Sequence, residues 1–371
     1  MSNDRPANGT PAPLLEIAGF TVPADCRRIF ITAELEPSTG DPRIQPTGFP
    51  DVGPVLYPDP NPDTEANQGL ICLIESEPSM ANRLEEVCFS NKYEGTLKEN
   101  FQGLPYLRVE SGGGTNRVFR TSSTLDGHRF ASDFLAKARA NFGNGAETTL
   151  AGHIKTTLGM ADNGKTMPVA RIPEVFQLVM ELDTMSLIHG FQISNERISF
   201  VGLRLARALT GSIVGLHCER VAVPGVKFNI GQVESESGQA IFQKQRITST
   251  KIQARFSIDV ALLASLRLDS PNDGQPGYQA SRLQLLVAIA LWKVAAFLEL
   301  LRVELSLRTE CKLRLKAGIG PHSRIEGGSD ARDCDFPYRE IAMESFNGAE
   351  GMIASAHLPP NRSPLVMTFS S

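Results

Sequence analysis

An α+β fold with an elaborated sheet is predicted by three features of the sequence. Residues 27–35 alternate Ile29, Ile31, Ala33 and Leu35 against Phe30, Thr32 and Glu34, the period of two that marks a half-buried strand. Residues 305–315 alternate the same way, with Leu305, Leu307, Cys311, Leu313 and Leu315 on one face and Arg308, Lys312 and Arg314 on the other. Residues 281–301 read as the main core helix, interrupted only by Lys293 and Glu299 in its apolar stretch. The chain has 371 residues, 41% of them hydrophobic, enough for a full core in two domains or in one large domain with insertions.

The remaining elements follow in chain order. Residues 1–13 read as a loose tail, lacking the basic and apolar halves of a signal peptide. After the first strand, residues 36–66 hold eight prolines, which excludes a helix or central strand and implies an extended surface loop. Residues 70–75 read as a short buried strand, and 78–89 as a helix with Ser76 at its N-cap and Pro78 in its first turn. A strand is expected at 104–109, followed by the glycine run 112–114. Helical spacing at 130–142 and 175–188 makes 129–190 a helical insertion. Residues 225–250, with two apolar arms about a polar Glu-Ser-Glu-Ser-Gly-Gln tip, suit a long hairpin. The order strand, helix, strand, insertion, hairpin, helix, strand suits α+β architecture.

Composition limits the function classes. The formal net charge is −4, so nucleic acid is not coated through bulk charge and only a local basic surface serves. Residues 197–255 supply one, with nine basic residues against three acidic. Six scattered cysteines without a CxxC pair fit reduced thiols in a cytoplasmic protein rather than a zinc knuckle or disulfide framework. The apolar run near 285–301 is too short before its first charge to span a bilayer, so no membrane partner is expected.

One string carries recognisable chemistry. Gly159, Gly164, Lys165 and Thr166 satisfy the Walker A pattern, which would make the chain a nucleotide-dependent enzyme. A phosphate cradle needs a strand before it and an unbroken helix after it, and here Pro168 and Pro173 interrupt that helix. No GxSxG elbow, HExxH pair or GxGxxG turn after a strand is present, and no catalytic set, cofactor or metal is expected. The basic segment and the basic strand face are better suited to tracking a phosphate chain.

Three strings together carry a resemblance: 43–53 (RIQPTGFPDVG), 74–85 (IESEPSMANRLE), and Leu291-Trp292-Lys293 with 305–315. It continues through 121–129, 204–209 and 247–268. The chain resembles the RAMP-superfamily backbone subunit, the Cas-seven family, of the type I-G (formerly I-U) CRISPR effector. The resemblance implies a single domain over 14–371. Its palm would be a modified RRM, of ferredoxin-like topology, with a helical finger insertion at 129–190, a β-hairpin thumb at 225–250 and a C-terminal extension at 317–371. It implies binding of a CRISPR guide RNA, the target DNA strand through the guide heteroduplex, further copies along a filament, other effector subunits and a separate helicase-nuclease. Related subunits that cut RNA use a thumb aspartate, and 225–250 holds only Glu234 and Glu236, so no nuclease activity is expected.

Arg43, Gln45, Thr47 and Phe49 are expected to line the guide path, because they place a cation, polar groups and an aromatic in a loop too proline-rich to pack regularly. Asn82 and Arg83 are expected to face RNA opposite Met80, Leu84 and Val87. From the basic segment come Arg204, Arg207, Lys227, Lys244, Arg246 and Lys251, and from the 121–129 string Ser122, Ser123, His128 and Arg129.

Overall fold

The computed structural model describes residues 12–46, 48–49, 53–59, 69–112, 116–143, 145–160, 169–193, 203–221, 246–269, 278–307, 311–328, 330–348, 351–359 and 363–369. Strand β1 spans Cys26–Pro37 and buries Ile29, Ile31, Ala33 and Leu35, as its alternation predicts. Strand β2 is Leu70–Glu75 and runs directly into helix α1, Glu77–Glu86. Ser76 occupies the N-cap of α1 without a side-chain cap bond, and Pro sits in the first turn, where its missing N–H costs nothing. Strands β3 (Leu107–Ser111) and β4 (Val118–Ser122) form an antiparallel pair. Helix α2 is Ile172–Leu182. Long strands β5 (Leu209–Arg220) and β6 (Lys251–Asp259) precede the core helix α3, Tyr278–Val303. Strands β7 (Lys312–Leu315), β8 (His322–Gly327) and β9 (Leu365–Thr368) follow.

The central sheet is antiparallel, in the order β7 and β8, β1, β6, β5, β2. Strands β7 and β8 pair in succession along the same edge of β1, Leu313–Leu315 against its end and His322–Gly327 against its start. Helices α1 and α3 cover one face. Gly211 permits the approach of α1: a Cβ there would lie 2.6 Å from the Phe256 ring and 3.0 Å from Met80. Helix α3 is buried along most of its length, and Trp292 packs edge-on against Phe101 at 4.7 Å. Each large apolar side chain so buried is worth about 1.5–3 kcal/mol. By length and composition α3 also qualifies as a membrane span, but here 78% of that window is buried inside the fold.

The other face of the sheet is polar. Register places Arg28, Phe30, Thr32 and Glu34 of β1 beside Asp259, Ser257, Arg255 and Gln253 of β6, two of these beside Thr210 and Ser212 of β5, and Glu36 beside Arg314 of β7. All are exposed or half-buried. Among the described residues this face closes at the β5–β2 edge, where Ile71, Val214 and Leu216 pack as a small separate cluster with Leu73.

Three expectations are revised. Residues 130–142 are not one helix: a 3-10 turn at Arg129–Ala131 and a short helix Asp133–Lys137 give way to strand Arg139–Asn141, so 129–190 mixes strands with helices. The run 305–315 is a hairpin rather than one strand, with Leu305 opposite Leu313 and Ser306 opposite Lys312. Its alternation survives because that register keeps the odd-numbered residues on one face. The segment 317–371 is no appendage: β8 completes the central sheet, and β9 joins the sheet of β3 and β4, parallel to β3. Residues 225–245, most of the expected hairpin, lie outside the described residues.

Candidate nucleic-acid interface

A cleft of about 380 Å³ opens beside the start of β5. Its rim carries the exposed side chains of Asn82, His128, Arg204 and Arg207 together with Gln192, and its floor holds Arg129, Glu85 and His189. They come from several elements. Asn82 stands on the outer side of α1, opposite buried Met80, Ala81 and Leu84. Gln192 and Arg204 face each other across the hairpin Phe191–Ile193 with Leu203–Leu205. Among the described residues, neither Arg204 nor Arg207 makes an ion pair within 4.0 Å, so both guanidinium forks are available to an anion.

The 121–129 string folds as a compact turn that explains which of its residues reach this rim. Ser123 donates its N–H to Leu107 O at 2.9 Å, and its Oγ accepts from Leu107 N at 3.1 Å. Ser122 O accepts from Leu125 and Asp126, and its Oγ lies 3.3 Å from Leu125 N. Both serines are fully buried and bonded internally, so direct contact with a ligand is not open to them. Asp126 Oδ1 accepts from His128 N at 2.9 Å and sets His128 outward.

Arg129, 4% exposed and at positive φ (46°), turns inward and pairs with Glu85. Its expected role at the guide surface is therefore replaced by one beneath it. The network continues through Ser186 Oγ, 3.4 Å from Arg129 and 2.6 Å from Asp183 Oδ2. Lys293 Nζ, fully buried on α3, lies 2.8 Å from His189 Nε2. A lysine ammonium carries only donors, so Nε2 accepts and the ring proton sits on Nδ1, facing Glu85 Oε1 at 3.5 Å. Burial, reinforced by the charges of Lys293, Arg129 and Arg207, holds His189 well below its usual range, and therefore neutral. Burial pushes the Glu85 carboxyl upward, opposed by Arg129 and Lys293. The cleft floor is thus a set of mutually compensated buried charges that locks α1, the 121–129 turn and α3 together.

A second basic group lies at the opposite end of β5 and β6. Arg43 grips Asp41 through Nε and Nη2 at 2.6–3.0 Å. These hydrogen bonds, with the nearby charge of Arg246, bring the Asp41 carboxyl down to about 2. Lys251 and Lys316 bracket Glu34 at 3.4 and 3.2 Å. Burial raises the Glu34 carboxyl, but the two lysines outweigh it and hold it below the usual carboxylate range. Gln45 is tied by its backbone to Cys311 Sγ, 3.1 Å in each direction. Arg83 does not share the cleft of Asn82. It pairs with buried Glu75 at 2.7 Å and lines a separate groove beside α3. Thr47, Lys227 and Lys244 lie outside the described residues, as does the side chain of Phe49.

Sequence reasoning missed Gln192 and Thr210 on the rim, and Glu85, Asp183, His189 and Lys293 below it. Two of these carried a signal: Glu85 shares the apolar stripe of α1, and Lys293 interrupts the apolar run of α3, the mark of buried and compensated charge. Gly159 ends helix Leu150–Thr157 at φ +58°, with its N–H bonded to Thr156 O. A helix thus stands where a phosphate-binding loop requires a strand, and Gly164, Lys165 and Thr166 lie outside the described residues.

No curated protein matches the chain. The family model of CRISPR-associated protein GSU0053 matches residues 29–220, just over half of the chain and the whole rim of the cleft. The chain belongs to the CRISPR-associated protein GSU0053 family.

Proposed function

We propose that this CRISPR-associated protein is a non-catalytic, guide-RNA-binding backbone subunit of the type I-G effector, polymerising along the guide beside other effector subunits and a helicase-nuclease. The observation that carries this reading is the continuity between the cleft and the polar sheet face. Thr210 lines the cleft and, by register, stands in the same row as Ser257 and Phe30 on the open face. The row structure offers Arg255, hydrogen-bonded to Gln253, for a phosphate and a half-buried ring, Phe30, for a base, flanked by Arg28 and Arg324, which pair with Asp259 and Glu326. Contacts of this kind hold a backbone and leave sequence reading to the guide.

The sheet order supports an RRM-like palm. With β1, β5, β6 and the β7–β8 edge counted as first to fourth, the order is fourth, first, third, second, with α1 and α3 on the connections and packed on one face. That is the ferredoxin-like pattern, and RRM sheets bind single strands on the face away from the helices.

Arg204→Glu with Arg207→Glu tests the reading. Single-stranded RNA binding should weaken, and the salt slope should fall by about 1.4, two phosphate contacts at about 0.7 each. An unchanged affinity and slope would exclude the cleft from the RNA path.

A further inference from the structure

A second basic cleft takes its four cations from outside both the family match and the cation-rich segment 197–255. It holds about 500 Å³ between the last turn of α3, the turn joining β7 to β8 and the start of helix Tyr338–Met343. Arg302, Arg314, Lys316 and Arg339 surround it, with side chains 44–61% exposed. Three carboxylates partly compensate them: Glu36 on Arg314 at 2.8 Å, Glu34 on Lys316 at 3.2 Å, and Glu299 shared by Arg302 at 3.0 Å and Arg339 at 3.8 Å. Glu304 and Glu340 add negative charge near Arg314 and Arg339, so the cleft is a mixed field of four cations and their carboxylates in which two guanidinium groups share Glu299.

The backbone between them is open. The turn runs Ala317-Gly318-Ile319-Gly320-Pro321, with Gly318 at φ +78° and nothing within 4 Å of a Cβ placed at either Gly318 or Gly320. A glycine turn without side-chain cover, ringed by cations, lets a phosphate reach backbone N–H groups. Arg314 and Glu36 stand on the polar sheet face, at the corner opposite Thr210, while Arg302 and Arg339 reach the same cleft from α3 and the helix packed on it. Six residues along β1 separate the Glu36 and Thr210 rows, roughly 20 Å, and three strand spacings add about 14 Å across.

We infer that the cleft of Arg302, Arg314, Lys316 and Arg339 seats phosphates of the same single strand that the Thr210 cleft holds, so that this cleft is the strand's second anchor. The inference rests on the RNA-binding reading above. Only a strand long enough to cross the sheet face engages both clefts.

Uridine oligomers of about 2 and about 12 nucleotides, the longer reaching across the diagonal even at the stacked rise of about 3.4 Å per nucleotide, separate the two ideas when bound to the full chain. Arg302→Gln with Arg339→Gln should leave the short oligomer's affinity unchanged, weaken the long one at least tenfold and lower its salt slope by about 1.4. Equal loss for both lengths, or loss for neither, overturns the second anchor. Loss of self-assembly with long-oligomer affinity retained overturns it too, assigning the cleft to a protein neighbour. Arg204→Glu with Arg207→Glu reports separately on the first cleft: if it too leaves both oligomers bound as before, the RNA-path reading fails with it. An unaltered melting temperature for the Gln variants excludes misfolding.

Discussion

At the residue scale, the cleft separates side chains that hold its shape from those free to meet a ligand. Arg129 and Glu85 are buried partners, and removing one of a buried pair strands the other's charge, at about 3–5 kcal/mol. Arg129→Ala is therefore expected to lower the melting temperature sharply, whereas Arg204→Ala, on an exposed side chain, should change stability by less than about 0.5 kcal/mol. Thermal unfolding of the two variants checks the contrast, and equal effects would contradict the assignment. His189 adds a pH signature. Its folded-state value lies below the unfolded one near 6.5, so the unfolded chain binds the extra proton first and stability falls as pH drops below about 6.5. The slope from this single group is at most about 1.4 kcal/mol per pH unit. Denaturant unfolding between pH 7 and 5 should show that loss, and His189→Gln should flatten it.

At the scale of elements, what was legible in the sequence followed from periodicity and what was hidden followed from pairing. The inward set of β1, the bounds of β2 and the burial of α3 all come from residues whose spacing alone fixes a face. The 305–315 hairpin could not be read that way, because a strand that doubles back in register keeps its alternation. Nor could the split of 130–142, where Arg139–Asn141 becomes strand through pairing with Glu147–Thr149. The candidate site was legible in part for the same reason. Asn82, His128, Arg204 and Arg207 meet in one cleft, while Ser122, Ser123 and Arg129 of the resembling string are absorbed into the turn that supports it. Gly211 shows how tightly two elements depend on one position: Gly211→Ala should cost about 1–3 kcal/mol as α1 is pushed off β5 and β6, read as a lower denaturation midpoint.

At the scale of the whole molecule, the fold closes only with its last segment. Strand β8 covers the edge of β1, β9 lies between β3 and Arg139–Asn141, and Phe336, Phe346 and Ile353 enter the main core. A chain ending at residue 316 is expected to aggregate or remain unfolded, since it bares the edge of β1 and opens the core beneath α3. A soluble, cooperatively melting truncation would contradict that. The same closure brings the two basic clefts to opposite corners of the sheet, the arrangement on which the functional account depends. Its central claim is tested most directly by extracting and sequencing nucleic acid from the purified full-length chain and from the Arg204→Glu, Arg207→Glu variant. Guide-type RNA is expected on the first and little on the second, at an unchanged melting temperature. RNA-free wild-type protein, or equal RNA on both, would contradict it.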